Sequence, residues 1–149
     1  MSTTVRLAVH EDEEAVLDLI EELFEPPGRR PRDYTRPQGA AAFRHAVESP
    51  AADVLLAVEA GRIVGLASVY VDLLSIRFGA RCWLEDLVVH ARRRSHGVGS
   101  ALLNAAADWG RRQGCTHLQL NSAVTRTDAH RFYLASGMRQ DSLNFQLQL

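Results

Sequence analysis

Arg94-Ser95-His96-Gly97-Val98-Gly99-Ser100 stands between an apolar run ending at Val89 and an amphipathic segment ending at Arg112. Arg81 to Val89 reads as a strand. Gly97 to Arg112 reads as a helix, with Val98, Ala101, Leu102, Ala105 and Trp109 on one face. A helix N-terminus presents unpaired N–H groups and the positive end of the helix dipole, so it suits a phosphate. Gly97 and Gly99 carry no Cβ, which lets a ligand approach the backbone. Arg92, Arg93 and Arg94 add positive charge, and no acid lies between His90 and Ser100. A P-loop would need Gly-Lys-Ser/Thr, which is absent. A dinucleotide fingerprint would need a third glycine where Leu102 stands. On its residues alone the loop reads equally as an anion site or as a solvated basic turn.

The segments on either side of this unit alternate between the two periodicities. Thr4 to Val9 alternates Val5, Leu7 and Val9 with polar or small residues, as a strand does. Glu11 to Phe24 places Ala15, Val16, Leu19, Ile20 and Leu23 on one helical face, and Pro26-Pro27-Gly28 ends it. Arg29 to Gln38 is expected to be a polar loop, and Gly39 to Glu48 a short helix. Asp53 to Glu59 and Arg62 to Asp72 flank Ala60-Gly61, a hairpin turn. Beyond the central helix, Thr116 to Asn121 is a strand, Asp128 to Ser136 a helix, and Phe145 to Leu149 a final strand. Strands alternating with helices predict a layered α/β domain. Three successive strands without helices between them predict a mixed sheet with an antiparallel half. The 149 residues suit one domain.

Composition excludes several classes. Seventeen basic and 18 acidic residues leave a formal charge of −1, so no whole-surface attraction to nucleic acid or anionic membrane is expected. Cys82 and Cys115 are far apart and fit reduced thiols in a cytoplasmic protein. Met1 is followed by polar Ser-Thr-Thr, so no signal peptide is expected. No apolar stretch is long enough to span a bilayer. His90, His96, His117 and His130 form no metal-ligand pattern, and no metal is expected.

Arg94-x-x-Gly97-x-Gly99 resembles the pyrophosphate-binding motif of the GNAT superfamily of N-acetyltransferases. Leu84-Glu85-Asp86-Leu87-Val88-Val89 is similar to that family's central strand. Ala129-His130-Arg131-Phe132-Tyr133-Leu134-Ala135-Ser136-Gly137-Met138 is similar to its late helix. Three segments in the right order, spanning nearly the whole chain, are more specific than any one alone. The segment Thr127 to Leu134 also resembles aminoalkylphosphonate N-acetyltransferases. The resemblance implies a three-layer α/β fold with a mixed sheet of about six or seven strands and helices on both faces. It further implies acetyl-CoA as co-substrate, a primary amine of a small molecule as acceptor, and a homodimer.

Acetyl transfer needs a held thioester, a neutral amine, an oxyanion stabiliser and a proton for the leaving thiolate. The resemblance implies that coenzyme A lies in a gap between the Arg81–Val89 and Thr116–Asn121 strands. Backbone groups of Leu87, Val88 and Val89 would pair with its pantetheine arm. An N–H near Val88 would polarise the thioester carbonyl. Arg94, Ser95, His96, Gly97, Val98, Gly99 and Ser100 would hold the pyrophosphate. His130 and Asn121 are further candidate contacts, and His96 and His130 read more readily as solvated surface histidines.

Glu85 is the candidate general base, directly or through water. Asp86 is its neighbour, and alternation along a strand predicts that only one of the two faces a given site. Tyr133 is the candidate general acid. Taken alone, each also fits a structural role, as a surface acid or a satisfied core aromatic. An unperturbed tyrosine titrates near 10 and a thiol near 8.5, so full transfer to the thiolate is uphill by about 2 kcal/mol. Other readings are a protein or aminoglycoside N-acetyltransferase and a catalytically silent acyl-CoA-binding module. The acceptor pocket is expected to involve the Pro26–Pro37 loop and the Asp72–Arg81 connection. There Arg29, Arg30 and Arg32 could receive a phosphonate, or nearby acids a cation.

Overall fold

A computed structural model describes residues 2–149. The strands are β1 (Thr4–Leu7), β2 (Ala52–Glu59), β3 (Arg62–Val71), β4 (Arg81–Val89) and β5 (His117–Gln119). The helices are α1 (Glu13–Glu22), α2 (Arg36–Glu48), α3 (Val98–Arg112) and α4 (Thr127–Ala135). The strands form one five-stranded sheet in the order β1-β2-β3-β4-β5. The first three pairings are antiparallel and β4–β5 is parallel.

The β2–β3 hairpin is set by its turn. Ala60 and Gly61 have φ of 49° and 76°, and Glu59 pairs with Arg62 across them. Two successive positive φ values give the sense of twist that a tight hairpin needs. Each face of the sheet then buries its own core. Leu55, Ala67, Val69, Cys82 and Leu84 pack under Leu102, Ala106 and Trp109 of α3. Val54, Leu56, Leu66 and Val88 pack under Val16 and Leu19 of α1 and Phe43 of α2. The result is the expected three layers with helices on both faces.

Three expectations need correction. The sheet has five strands among the described residues, not six or seven, because Phe145–Leu149 forms none. Phe145, Leu147 and Leu149 keep their alternation but stand exposed at 86%, 84% and 107%. Alternation makes a strand only where another strand satisfies its backbone groups. Next, α2 begins at Arg36 rather than Gly39. The Thr35 hydroxyl accepts from the Gln38 N–H, and Pro37 sits in the first turn, where its missing N–H costs nothing. Last, β5 is shorter than Thr116–Asn121. It pairs with β4 only at Arg81–His117, Cys82–Leu118 and Trp83–Gln119.

Candidate active site

Beyond Trp83 the outer edge of β4 has no strand beside it, so the chain opens between β4 and β5 at the level of Glu85 to Val89. The register of β4 against β3 decides which backbone groups face this opening. The His90 N–H donates to the Val64 carbonyl at 2.8 Å. Hydrogen-bonded pairs alternate along an antiparallel ladder. The next such pair is therefore Leu66–Val88, which turns the Val88 backbone toward β3. The backbone groups of Leu87 and Val89 face the opening instead. The Val89 carbonyl already accepts from Arg94 Nε at 3.1 Å.

A β-bulge lies opposite. Ser68 pairs with Asp86 and Val69 with Leu84, which leaves Glu85 as the extra residue. A bulge breaks strict alternation. Leu84 belongs to the core under α3, yet Val88, four residues on, belongs to the core under α1 and α2. The expectation that Glu85 and Asp86 face opposite sides is thereby overturned. Both line one cavity of about 510 Å³ between the sheet and the α1–α2 layer. Glu85 is exposed and accepts from Trp83 Nε1 at 2.8 Å. Asp86 is withdrawn from solvent, and this burial raises its pKa above the ordinary carboxylate range. The Ser68 hydroxyl, which donates to Oδ2 at 3.0 Å, opposes the shift. The Glu85 charge adds to it, and Arg126 opposes it from further off.

At the start of α3 the expected phosphate loop divides into different tasks. Gly97 is the N-cap with φ of 84°, and a Cβ there would meet nothing within 4 Å. Ser95 also has a left-handed φ, 64°. Ser95, His96, Gly97 and Ser100 are exposed. The Val98 side chain is buried in the core, so only its backbone can meet a ligand. Gly99 faces the ring of Phe132 rather than open space. Of the three arginines, Arg93 forms a 2.7 Å ion pair with Glu59, which is 3% exposed. Arg92 and Arg94 are left exposed at the loop. His96 Nδ1 lies 2.6 Å from the Arg94 carbonyl.

Helix α4 brings Phe132 against α3 and sets Tyr133 beside it, with ring centroids 5.5 Å apart. Burial raises the Tyr133 pKa and the charge of Arg126 opposes that. Arg126 thus acts on both Asp86 and Tyr133, and nothing in its sequence context marks it. Its Nη2 donates to the Leu23 carbonyl at 2.8 Å, which ties the loop after α1 to the start of α4. His130 Nε2 lies 2.9 Å from the Ala123 carbonyl, as a loop tether. Asn121 is exposed, just past the end of β5.

No group of His, Cys, Asp and Glu that could hold a metal is found among the described residues. No helix among them is long and apolar enough to cross a membrane.

The fold thus sets a sheet splayed at β4 beside a glycine-capped helix, with two carboxylates at a bulge. The model of the acetyltransferase (GNAT) family matches residues 13–138, and the chain belongs to that family. The chain is 30% identical over 145 residues to an aminoalkylphosphonate N-acetyltransferase of Salmonella typhimurium, covering 95% of this chain and 88% of the relative. It is 47% identical over 60 residues to the uncharacterized N-acetyltransferase YhdJ of Bacillus subtilis, covering 40% of this chain and only 42% of that relative. In fold it is similar to an aminoglycoside N-acetyltransferase AAC(6')-Iy solved in complex with CoA. The TM-score is 0.85 at 17% identity, covering 99% of this chain and 95% of the other.

Proposed function

We propose that this chain is a single cytoplasmic N-acetyltransferase domain that moves the acetyl group of acetyl-CoA to the primary amine of a small molecule. The bulge at Glu85 carries the reading. It sets two carboxylates on one cavity wall, directly before the backbone segment that faces the β4–β5 opening.

Acetyl-CoA, when bound, supplies the acetyl group as a thioester and departs as a thiolate. The residues present fit it: an open strand edge for an extended arm, and a glycine-capped helix start with Arg94 beside it for a pyrophosphate. Ser95, His96 and Ser100 flank that start, while Asn121 and His130 lie further along the chain. Leu87 and Val89 would present N–H donors to the carbonyl oxygen. Glu85 would hold the incoming ammonium. Asp86, whose pKa burial raises, would take the proton before the amine nitrogen attacks. Glu85 acting through water is the other assignment of the base. Tyr133 would donate to the departing sulfur. Burial makes full transfer from the phenol less favourable than for a free tyrosine, so it acts first as a hydrogen-bond donor to the thiolate.

Thiol release from acetyl-CoA across a panel of primary amines tests this. All 17 basic residues are arginine, so no side-chain amine of the protein competes as acceptor. Protein that binds acetyl-CoA by calorimetry but releases thiol no faster with any amine would sink the proposal and leave the silent binding module. We also propose a homodimer, because Phe145, Leu147 and Leu149 form an exposed alternating apolar edge. Sedimentation that finds only monomer at high concentration counts against it.

A further inference from the structure

The cavity that holds Glu85 and Asp86 has a composition of its own. It lies under α1 and α2, and its lining includes no residue of the Pro26–Pro37 loop or the Asp72–Arg81 connection, which the sequence expects the acceptor pocket to involve. Leu17, Ile20, Phe43, Ala46, Val54 and Leu66 give it apolar walls. Its acids are Glu85, Asp86 and Asp53, and the last is engaged by Trp109 Nε1 at 2.8 Å. No arginine lines it. Its volume of about 510 Å³ suits a small organic molecule.

The nearby arginines are committed elsewhere. Arg36 is paired with Glu14, Asp18 and Glu21 on the outer side of α1. Arg30 stacks over Tyr34, 4.9 Å from the ring centroid, and donates to the Tyr34 carbonyl. Arg126 is bound to the Leu23 carbonyl. A dianionic group entering this cavity would meet carboxylates and no guanidinium, with His45, Ser49, Ser68 and Tyr70 as the other polar side chains of the lining. An ammonium would meet two carboxylates at one end, and its carbon skeleton would fill the rest.

We propose that the acceptor is a primary amine with an apolar body and no anionic group, held with its nitrogen between Glu85 and Asp86 and its body between the sheet and the α1–α2 layer. This rests on the reading of the chain as an amine acetyltransferase and narrows it. It also separates this chain from the acceptor named for its Salmonella relative.

Steady-state turnover with 2-phenylethylamine and 2-aminoethylphosphonate, at saturating acetyl-CoA, decides the matter. The expected kcat/KM for 2-phenylethylamine is at least roughly 10-fold the higher, the scale on which a site rejects a group it cannot pair. Parity, or preference for the phosphonate, overturns the acceptor class and leaves amine acetylation standing. Turnover of neither, in protein that binds acetyl-CoA, overturns both. Ala42 is exposed at the cavity mouth, outside the core, so Ala42→Trp should leave the fold and acetyl-CoA affinity intact. It should raise KM for 2-phenylethylamine by roughly 10-fold, and an unchanged KM would move the acceptor out of this cavity.

Discussion

Gly99 lies against Phe132: a Cβ on Gly99 would stand 3.3 Å from Phe132 Cζ. This glycine is therefore a contact between α3 and α4. Gly99→Ala should be near neutral, because a helix-propensity gain of about 1 kcal/mol offsets a tight contact. Gly99→Val adds two further methyls and should cost about 1–3 kcal/mol by overpacking. It should also lower kcat, since Tyr133 follows Phe132 on the same helix. Thermal melts and calorimetry on both variants check this. Weakened coenzyme affinity in Gly99→Ala at unchanged Tm would instead return Gly99 to the phosphate site.

Gly97 is the complementary case. Its added Cβ meets open space, but its φ of 84° is left-handed. Gly97→Ala should cost about 1–2 kcal/mol of backbone strain. Any loss of acetyl-CoA affinity beyond the loss of folded protein then reports the approach of a ligand. Calorimetry at a temperature where the variant is folded separates the two.

Asp86 makes stability depend on pH. Its folded pKa is raised above the ordinary value, chiefly by burial. Between those two values the native state binds more protons than the unfolded chain. Stability is therefore greatest below the ordinary carboxylate pKa of about 3.9 and falls as pH rises through the folded value. Asp86→Asn cannot ionise. Its Tm should exceed wild type at pH 7 to 8 (on the order of a few degrees for a domain of this size), and the gain should vanish toward pH 4. The rate should fall roughly 10²–10⁴-fold if Asp86 is the base. Full activity in Asp86→Asn, with a pH-dependent loss in Glu85→Gln, would return the base role to Glu85.

Tyr133→Phe removes one hydroxyl from a partly buried ring and should leave folding and acetyl-CoA affinity unchanged. The kcat should fall roughly 10²–10⁴-fold. The raised pKa keeps the phenol protonated to above its ordinary value, so no alkaline loss of rate below about pH 10 should trace to it. A wild-type kcat in this variant removes the acid assignment.

Arg93 is the arginine of the loop that should matter least for the coenzyme. Its partner Glu59 is 3% exposed, and Thr3 Oγ1 donates to the same carboxylate at 2.7 Å. Arg93→Ala leaves that carboxylate without its cation and should lower Tm. Arg94→Ala should weaken acetyl-CoA binding with little change in Tm. Melts and calorimetry on the pair settle the division, and the reverse pattern would exchange the roles.

Much of this arrangement is legible in the chain. The strand–loop–helix unit around Gly97, the hairpin at Ala60-Gly61 and the helix carrying Tyr133 each rest on local signals. Those signals are period-2 or helical patterning and residues suited to positive φ. The bulge at Glu85 has no such signal, because the residues of a bulged strand read the same as those of a regular one. It shows only against the partner strand, where Ser68 Oγ accepts the Asp86 N–H at 3.0 Å. Arg126 was equally invisible, since its partner at Leu23 lies 103 residues away.

The sequence by itself determined the alternation of elements, the Ala60-Gly61 hairpin and a glycine-bearing helix start after β4. Each follows from residues within a few positions of one another, through backbone geometry and periodic burial. Only the tertiary structure decided that both acids face one cavity, that Gly99 packs on Phe132 and that Arg93 pairs with Glu59. It alone left Phe145 to Leu149 without a strand to join. Each of these depends on which distant group arrives at a given distance, and pairing across a sheet or between helices is fixed by the fold as a whole.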